Sequence, residues 1–308
     1  MKKSILILIF LLSASYGKTL VLLYHSFSPS PISNTSINPE YFRAHIRELK
    51  SEGYRIIDIN KALTNFLSGD TSRIPEALIT IDDGWASVYK HAFPILQEED
   101  VKATIFIYPR AVSRYDGFLT WEQIQKMLAS GYVDIGSHGM SHTPLKREFI
   151  KRKLYYSWFV EGELVGSKES IEFHIGKPIF AIAYPMGYYS DYVLEAARKA
   201  GYLLGFTTEN PLETNYKGRL AIPRYTISRK DKSIRELLRL FKHKYKLEVS
   251  VQRLPSIKPP SKPEPLPTLL TRQTNSNIIK NKNLTLSFTL LEIIKYGNQS
   301  RCLRVELP

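Results

Sequence analysis

The sequence predicts an α/β fold with a parallel sheet, and two observations lead to this prediction. Apolar runs typical of strands alternate with stretches whose apolar residues recur at helical spacing, which favours a barrel or a doubly wound sheet. Polar residues of chemical interest repeatedly follow a predicted strand, at His25, Asp82, His138 and Pro185. Because a parallel α/β barrel gathers its active site at the carboxyl ends of its strands, this placement favours the barrel.

The strands are predicted from short apolar runs that are bounded by turn residues. In chain order they span residues 19–24, 54–59, 77–81, 103–108, 132–136, 180–184, 203–207 and 219–227. The helices are predicted from their periodicity and caps: Asn38 precedes Pro39, and Thr120 stands three residues before Gln123 at capping-box spacing. Helices are expected over residues 39–52 and 60–67, after the strand at 77–81 through about residue 99, over residues 120–131, over residues 146–175 with a break near 162–166, and over residues 191–200 and 234–246.

The two ends of the chain differ from its body. Residues 1–17 are typical of a signal peptide, since Lys2 and Lys3 precede an apolar run that is short for a membrane span. This predicts an extracytoplasmic location, either periplasmic, secreted or cell-surface, with an uncleaved anchor as the alternative. Residues 18–250 are predicted to be the main domain, residues 251–268 a proline-rich linker, and residues 269–308 a basic tail that forms a hairpin or is disordered.

The formal charge of +14 comes from the C-terminal third of the chain. Residues 217–308 contain 20 Lys/Arg and 6 Asp/Glu, whereas residues 1–216 contain 23 of each. This distribution predicts a solvated basic tail or contact with an anionic envelope surface, and no nucleic acid partner is expected. The single cysteine, Cys302, excludes an intramolecular disulfide. Nothing in the sequence indicates an oligomeric state.

Two adjacent carboxylates, Asp82 and Asp83, end a predicted buried strand just before Gly84. Successive strand residues point to opposite faces, so both can face inward only if the strand loses its regular geometry there. Taken alone, Asp-Gly is a common turn dipeptide and would predict a solvated turn. His138 and His142 follow another strand, four residues apart, and two imidazoles with one carboxylate are a common ligand set for catalytic zinc. Together, the two motifs favour a metal site.

Residues 79–84, 135–142 and 183–187 resemble the motifs of polysaccharide deacetylases, carbohydrate esterase family 4. The resemblance covers about residues 19–230 and implies a distorted (β/α) barrel, TIM-like and seven-stranded. It also implies that Asp82 is the general base, and that Asp83, His138 and His142 hold one divalent metal, with Zn²⁺ expected ahead of Co²⁺ or Ni²⁺. The groove loop would be Tyr184, Pro185, Met186 and Gly187, with the Met186 backbone N–H at the oxyanion.

The sequence departs from the usual family pattern at two positions. Many members have an arginine where this chain has Ala183, so Arg224 is a candidate to orient Asp82 instead. Members usually place the catalytic acid histidine in a late strand, whereas here His25 follows the first strand. This order resembles a circularly rearranged branch that includes poly-β-1,6-N-acetylglucosamine deacetylases, and it implies that His25 is the acid. Trp85, Tyr188 and Tyr189 are candidate sugar-binding residues, with packing as the alternative.

The resemblance implies an extracytoplasmic, metal-dependent N-deacetylase of an N-acetylglucosamine-containing polysaccharide. Two alternatives stay open at this point. One is a catalytically inactive glycan-binding module on the same fold, which the intact Asp82, Asp83, His138 and His142 argue against. The other is a deacetylase or esterase acting on another acetylated substrate, such as acetylated xylan, because fold and motif do not determine the substrate.

Overall fold

The computed structural model describes residues 19–68, 74–146, 153–214 and 217–247, together with residues 295–296 and 299–300. The chain divides into two units, Met1–Arg253 and Leu254–Pro308. In the second unit, Lys295–Tyr296 pairs antiparallel with Gln299–Ser300. The predicted signal peptide and proline-rich linker, and the rest of the predicted tail, lie outside the described residues. Across the described ranges, no helix is both long enough and apolar enough to cross a bilayer.

The first unit is built on a sheet whose pairings are all parallel. In chain order the strands are β1 (Thr19–Tyr24), β2 (Ser26–Phe27), β3 (Ser36–Ile37), β4 (Arg55–Ile57), β5 (Glu76–Ile81), β6 (Ala103–Ile107), β7 (Val133–Ser137), β8 (Ala181–Ala183), β9 (Leu204–Phe206) and β10 (Tyr225–Thr226). Along the sheet they follow the order β10-β1-β5-β6-β7-β8-β9, with β4 beside the start of β5. Two further short strands, β2 and β3, pair with each other.

One extended segment, residues 222–226, connects the two ends of this sheet. The Ile222 N–H donates to the Gly205 carbonyl (2.8 Å), and the Ile222 carbonyl accepts from the Thr207 N–H (2.9 Å), both beside β9. Three residues later, Tyr225 and Thr226 pair with Leu22 and Leu23 of β1. The sheet therefore curls into the distorted parallel barrel that the sequence predicted, with seven strands around it.

The helices pack against the sheet, and their caps agree with the sequence. The Asn38 side chain accepts from the Glu40 N–H, and Thr120 and Gln123 form a capping box. Residues 162–166 do not break their helix as predicted, because the helix continues there as a π-helical turn. The helices are α1 (Pro39–Ser51), α2 (Ile59–Ser68), α3 (Phe93–Glu98), α4 (Trp121–Ala129), α5 (Lys153–Glu161), α6 (Ser167–Ile175), α7 (Asp191–Lys199) and α8 (Arg235–Tyr245), with π-helical turns at Val88–Ala92 and Gly162–Gly166.

The strands are buried on both faces, and alternate residues enter two different cores. In β1, Leu20 and Leu22 belong to the cluster between sheet and helices, while Val21 belongs to the cluster inside the barrel. In β5, Ile79 and Ile81 pack outward and Leu78 packs inward in the same way. This alternation fixes which residues reach the barrel interior at each strand end.

Candidate active site

The strand periodicity places three of the predicted site residues at the barrel interior. His25 has the parity of Val21, and Asp82 has the parity of Leu78, both of which pack inside the barrel. Val133 and Ile135 pack outward, and His138 has the opposite parity, so it faces the barrel interior. All three follow directly on the carboxyl end of a strand, so they converge at one edge of the sheet.

Asp83 follows Asp82, and its backbone conformation lets both carboxylates face the same centre. Its φ is +73°, in the left-handed region, so the regular alternation ends there. Gly84 also has φ +73°, and a Cβ on it would lie 2.9 Å from Ile107 Cγ2, so no other residue fits without movement. The Trp85 indole N–H donates to Asp83 Oδ2 (2.9 Å) and its ring stacks on Phe118, so this candidate sugar-binding residue holds the carboxylate.

His138 and His142 present their Nε2 atoms to the other carboxylate oxygen. Asp83 Oδ1 lies 3.4 Å from His138 Nε2 and 3.3 Å from His142 Nε2. The His138 Nδ1 lies 2.7 Å from the Ala183 carbonyl, to which it must donate, so the lone pair stays on Nε2. His142 has φ +58°, and its ring stacks on Tyr108. Burial, and to a lesser degree the Asp83 charge, raises the pKa of Tyr108 to about 12.

The donor set fits a divalent metal. The three ligand atoms of Asp83, His138 and His142 all lie within 4.8 Å of one another. Ligand atoms held at about 2.0–2.1 Å around a tetrahedral zinc lie about 3.3 Å apart, close to the two distances from Asp83. Burial alone would raise the pKa of Asp83, but the two adjacent histidines outweigh burial and hold it well below its usual range. One carboxylate oxygen and two imidazole nitrogens leave a fourth position for water or substrate.

Asp82 is 1% exposed and is held by a bidentate ion pair with Arg224, which is fully buried. Arg224 Nη1 donates to Asp82 Oδ1 (2.7 Å) and Nη2 donates to Oδ2 (2.6 Å). Arg224 Nε donates to the Thr207 carbonyl (2.9 Å), and the guanidinium lies over the Phe106 and Phe206 rings. Burial would raise the pKa of Asp82, but the Arg224 charge outweighs it and keeps the pKa below its ordinary value. Asp82 therefore stays ionised with its orientation fixed.

His25 lies close enough to this centre for the charges there to affect its pKa. Its pKa is lowered by burial, which the charges of Asp82 and Asp83 oppose and those of Arg224 and His138 reinforce. The Asp82 N–H donates to the Tyr24 carbonyl (2.9 Å), so the two strand ends are adjacent. Within the described part of the chain, His25 Nδ1 is buried with no hydrogen-bond partner, so no carboxylate there orients the ring.

Comparison with known proteins agrees with this geometry. The family model for polysaccharide deacetylase matches residues 69–205, which contain Asp82, Asp83, His138 and His142. YxkH of Bacillus subtilis, which is named as a polysaccharide deacetylase, is 29% identical over 212 residues, covering 69% of this chain and 72% of YxkH. Residues 69–205 of this chain therefore match a polysaccharide deacetylase domain. Poly-β-1,6-N-acetyl-D-glucosamine N-deacetylase of Staphylococcus epidermidis is 25% identical over 202 residues, covering 64% of this chain and 70% of that enzyme.

Solved structures show that the fold of the deacetylase is shared. Streptococcus pyogenes deacetylase PplD, in complex with acetate, aligns with a TM-score of 0.63 at 24% identity, covering 72% of this chain and 97% of PplD. IcaB from Ammonifex degensii aligns with a TM-score of 0.62 at 24% identity, covering 73% of this chain and 97% of IcaB. The barrel fold is therefore shared with these proteins, and the family model and the curated relatives indicate a hydrolase of the polysaccharide N-deacetylase class.

The groove loop of the deacetylase lies after β8. Tyr184 is buried and its hydroxyl donates to the Leu220 carbonyl (2.9 Å), so Tyr184 anchors the loop. Pro185–Gly187 forms a 3₁₀ turn in which Met186 has φ +57° and is 56% exposed. Residues 186–191, with Thr208 and Glu209, line a groove of about 600 Å³. The predicted sugar-binding residues Tyr188 and Tyr189 both lie on this groove.

Sequence reasoning missed several residues that complete the site. Glu209 accepts from the Tyr189 hydroxyl and from Lys217 Nζ, both at 3.0 Å, and places a carboxylate in the groove. Tyr108 ends a strand that was predicted to reach it, so its position was a usable signal. Glu163 contacts the loop between His138 and His142 from a helix, and no local pattern indicates that contact.

Proposed function

We propose that this deacetylase is a metal-dependent enzyme that removes acetyl groups from N-acetylglucosamine residues of a polysaccharide. The observation that best supports the proposal is the ionised Asp82, clamped by Arg224 and lying beside a separate Asp83, His138 and His142 cluster. The carboxylates of Asp82 and Asp83 have different partners, and this difference suits two different roles. Asp82 would act as base, while Asp83 would be a metal ligand.

A divalent metal held by Asp83, His138 and His142 would supply a Lewis acid. It would lower the pKa of water, so that water could act as a nucleophile at neutral pH. We assign Zn²⁺ ahead of Co²⁺ or Ni²⁺ from the nitrogen and oxygen donors. Asp82 would accept the proton of the attacking water, and Arg224 would keep its carboxylate ionised and aimed. His138 donates through Nδ1 to Ala183, which leaves its Nε2 lone pair available at the site.

The remaining steps use His25 and the groove loop. The amine leaves readily only after it is protonated, and His25, at the edge of β1, would donate that proton. Its neighbours Asp82 and Asp83 favour the charged imidazole, which opposes the effect of burial. The Met186 backbone N–H would stabilise the oxyanion that forms on the acetyl carbonyl.

The groove supports a polymeric glycan as the substrate class. It continues from Met186 past Tyr188 and Tyr189 to Glu209, so sugars that flank the reacting residue would lie there. Tyrosine rings offer flat apolar faces to a sugar ring, while Glu209 and Lys217 offer an acceptor and a donor to its hydroxyls. The Staphylococcus epidermidis relative is named for poly-β-1,6-N-acetyl-D-glucosamine, which makes that polymer the first substrate to test.

We assign an extracytoplasmic location from the signal-peptide pattern of residues 1–17. A glycan polymer is encountered outside the cytoplasm, which is consistent with this assignment. The basic residues of the last third would give the protein weak contact with an anionic envelope surface, and that contact should weaken as salt is added. The mass of the mature protein isolated from its native cell would establish whether residues 1–17 are removed.

The decisive experiment is mass spectrometry of acetylated oligosaccharides after incubation with the zinc-loaded protein. We expect the loss of acetyl groups from β-1,6-linked N-acetylglucosamine oligomers, with less activity on β-1,4-linked oligomers and none on acetylated xylan. Release of acetate from xylan alone would contradict the substrate class. No acetyl loss from any glycan, in a protein that retains its metal, would contradict the enzymatic proposal.

Three variants separate the proposed roles in that assay. Asp82→Asn should keep stoichiometric metal and lose nearly all turnover, whereas His138→Ala should lose the metal itself. Loss of metal from Asp82→Asn would show that the roles of Asp82 and Asp83 are exchanged. Glu209→Gln should reduce kcat/KM for a tetramer and leave hydrolysis of a monomer unchanged. An equal loss on both substrates would argue against a flanking-sugar site.

A further inference from the structure

Glu163 is a buried acid on the π-helical turn Gly162–Gly166, and it contacts the loop that joins His138 to His142. The residue is buried, with 5% of its surface exposed. Glu163 Oε2 accepts the backbone N–H groups of Met140 (2.9 Å) and Ser141 (3.0 Å). Glu163 Oε1 accepts the Ser141 hydroxyl (2.5 Å). One carboxylate thus makes three hydrogen bonds to a single short loop.

Two of the four backbone N–H groups from His138 to Ser141 have the Glu163 carboxylate as their acceptor. The His138 N–H donates to the Ile107 carbonyl (2.8 Å), and the Gly139 N–H donates to the Ser137 hydroxyl oxygen (3.1 Å). The next two N–H groups, of Met140 and Ser141, both donate to Glu163. These two hydrogen bonds are partly buried, and a donor left there without an acceptor is unfavourable, so the loop would have to rearrange if the carboxylate were lost.

The loop and the π-helical turn also fit each other in shape. Gly139 has φ +73°, and a Cβ at this position would lie 3.0 Å from Glu163 Oε2. A Cβ on Gly166 would lie 3.3 Å from Met140 Cε. The loop therefore approaches the turn as closely as two glycines allow. π-Helical turns inside α-helices are frequent at functional sites, and this one aims Glu163 at the loop.

We propose that Glu163 is a positioning residue, which sets the spacing of His138 and His142 and thereby the affinity of the protein for a divalent metal. The inference rests on the proposed metal site. Groups that orient metal ligands from behind change metal affinity when they are removed, although they do not touch the metal. A carboxylate that binds two successive N–H groups is well suited to this role, because it fixes the backbone on which both histidines stand.

The test is direct measurement of metal binding by the full-length Glu163→Gln protein. The dissociation constant for Zn²⁺, measured by competition with a chromogenic chelator, should rise about 10–100-fold relative to the parent protein. The visible absorption bands of the Co²⁺-loaded protein should shift, because they report the arrangement of the ligands. Neither readout depends on turnover.

Glu48→Gln is the matched control. Glu48 is also a buried acid, 9% exposed, which accepts a hydroxyl from Ser233 (2.7 Å) and the N–H of Ile234 (2.7 Å), but it joins α1 to the start of α8. The Glu48→Gln protein should lose about as much stability as Glu163→Gln, while its Zn²⁺ affinity and Co²⁺ spectrum stay those of the parent protein. An equal loss of metal affinity in both variants would mean that general destabilisation explains the effect, and would overturn the proposal.

Two further outcomes keep the test decisive. If Glu163→Gln does not fold by circular dichroism, Ser141→Ala removes one of the three bonds, and its Zn²⁺ dissociation constant should rise about 3-fold or more. Parental affinity in a folded Glu163→Gln or Ser141→Ala protein would overturn this inference alone. A parent protein that binds no divalent metal would instead contradict the proposed function.

Discussion

The ion pair between Arg224 and Asp82 is the interaction whose loss should be easiest to measure. Arg224 is fully buried and Asp82 is 1% exposed, so Arg224→Met leaves a buried carboxylate without its counter-charge. Removing one partner of such a pair costs about 3–5 kcal/mol. For a domain of this size each kcal/mol lowers the melting temperature by about 2–4 °C, so we expect a fall of about 6–20 °C.

The assay is urea denaturation of the chelator-treated protein, because bound metal would add its own stabilisation to the folded state. The double variant Asp82→Asn/Arg224→Met removes both charges. It should be less destabilised than the sum of the single variants, with a coupling energy of about 1–3 kcal/mol. Activity should be lost in all three variants, since each disturbs the proposed base.

Arg55→Met is the control, because its partner Glu76 begins β5, the strand that Asp82 follows. Arg55 donates to Glu76 (2.9 Å), but the Arg55 side chain is 51% exposed and Asn65 also donates to Glu76. Glu76 is buried, but water reaches the exposed Arg55 side chain and Asn65 stays bonded to Glu76, so Arg55→Met should cost less than Arg224→Met. Equal costs for the two variants, or a coupling energy near zero for Asp82 and Arg224, would refute the reasoning.

Three further predictions follow from single contacts. His25→Ala should bind metal normally and lose about 10²–10⁴-fold in kcat, whereas His243→Ala should turn over like the parent; an active His25→Ala enzyme would show that the acid lies elsewhere. Trp85→Phe keeps a ring against Phe118 but removes the N–H donor to Asp83, so Zn²⁺ affinity measured by chelator competition should fall about 10-fold, and unchanged affinity would count against that role. A hydrogen bond from Lys242 lowers the pKa of Glu52, so its stabilisation is present above the unfolded pKa of about 4.3 and is lost as pH falls through the folded pKa. Urea denaturation of Lys242→Met should therefore show a loss at about pH 7 that shrinks at about pH 3, and an equal loss at both pH values would contradict the sign.

The barrel and the residues at its edge were predictable because both depend on local patterns. Short apolar runs bounded by turn residues identify the strands, and the alternation of side-chain direction along a strand decides which side of the sheet His25, Asp82 and His138 face. Asp82 and Asp83 illustrate the limit of that logic. A regular strand would separate their carboxylates, and only the observed φ of +73° at Asp83 shows how the chain brings them together.

The supporting residues were not predictable from the sequence because they depend on how distant elements pack. Glu163 contacts Met140 and Ser141 across more than twenty positions, and nothing near Glu163 distinguishes it from other acids on a helix. The helix around it was predicted to break because glycine weakens helices. The π-helical turn instead keeps the helix continuous, and Gly166 allows the close approach of Met140.

The segment that connects β9 to β1 explains how the chain can lack the arginine that many family members have at the position of Ala183. Residue 222 pairs beside β9 and residues 225–226 pair with β1, so Arg224 enters the barrel between them on the interior side. From there it reaches Asp82 across the barrel, past the rings of Phe106 and Phe206. His25 follows the strand on the other side of the same connection. The partner of the proposed base and the proposed acid thus both come from the place where the barrel closes, which is where a rearranged strand order changes which residues are available. A parallel barrel tolerates this exchange because the carboxyl ends of all its strands converge on one centre.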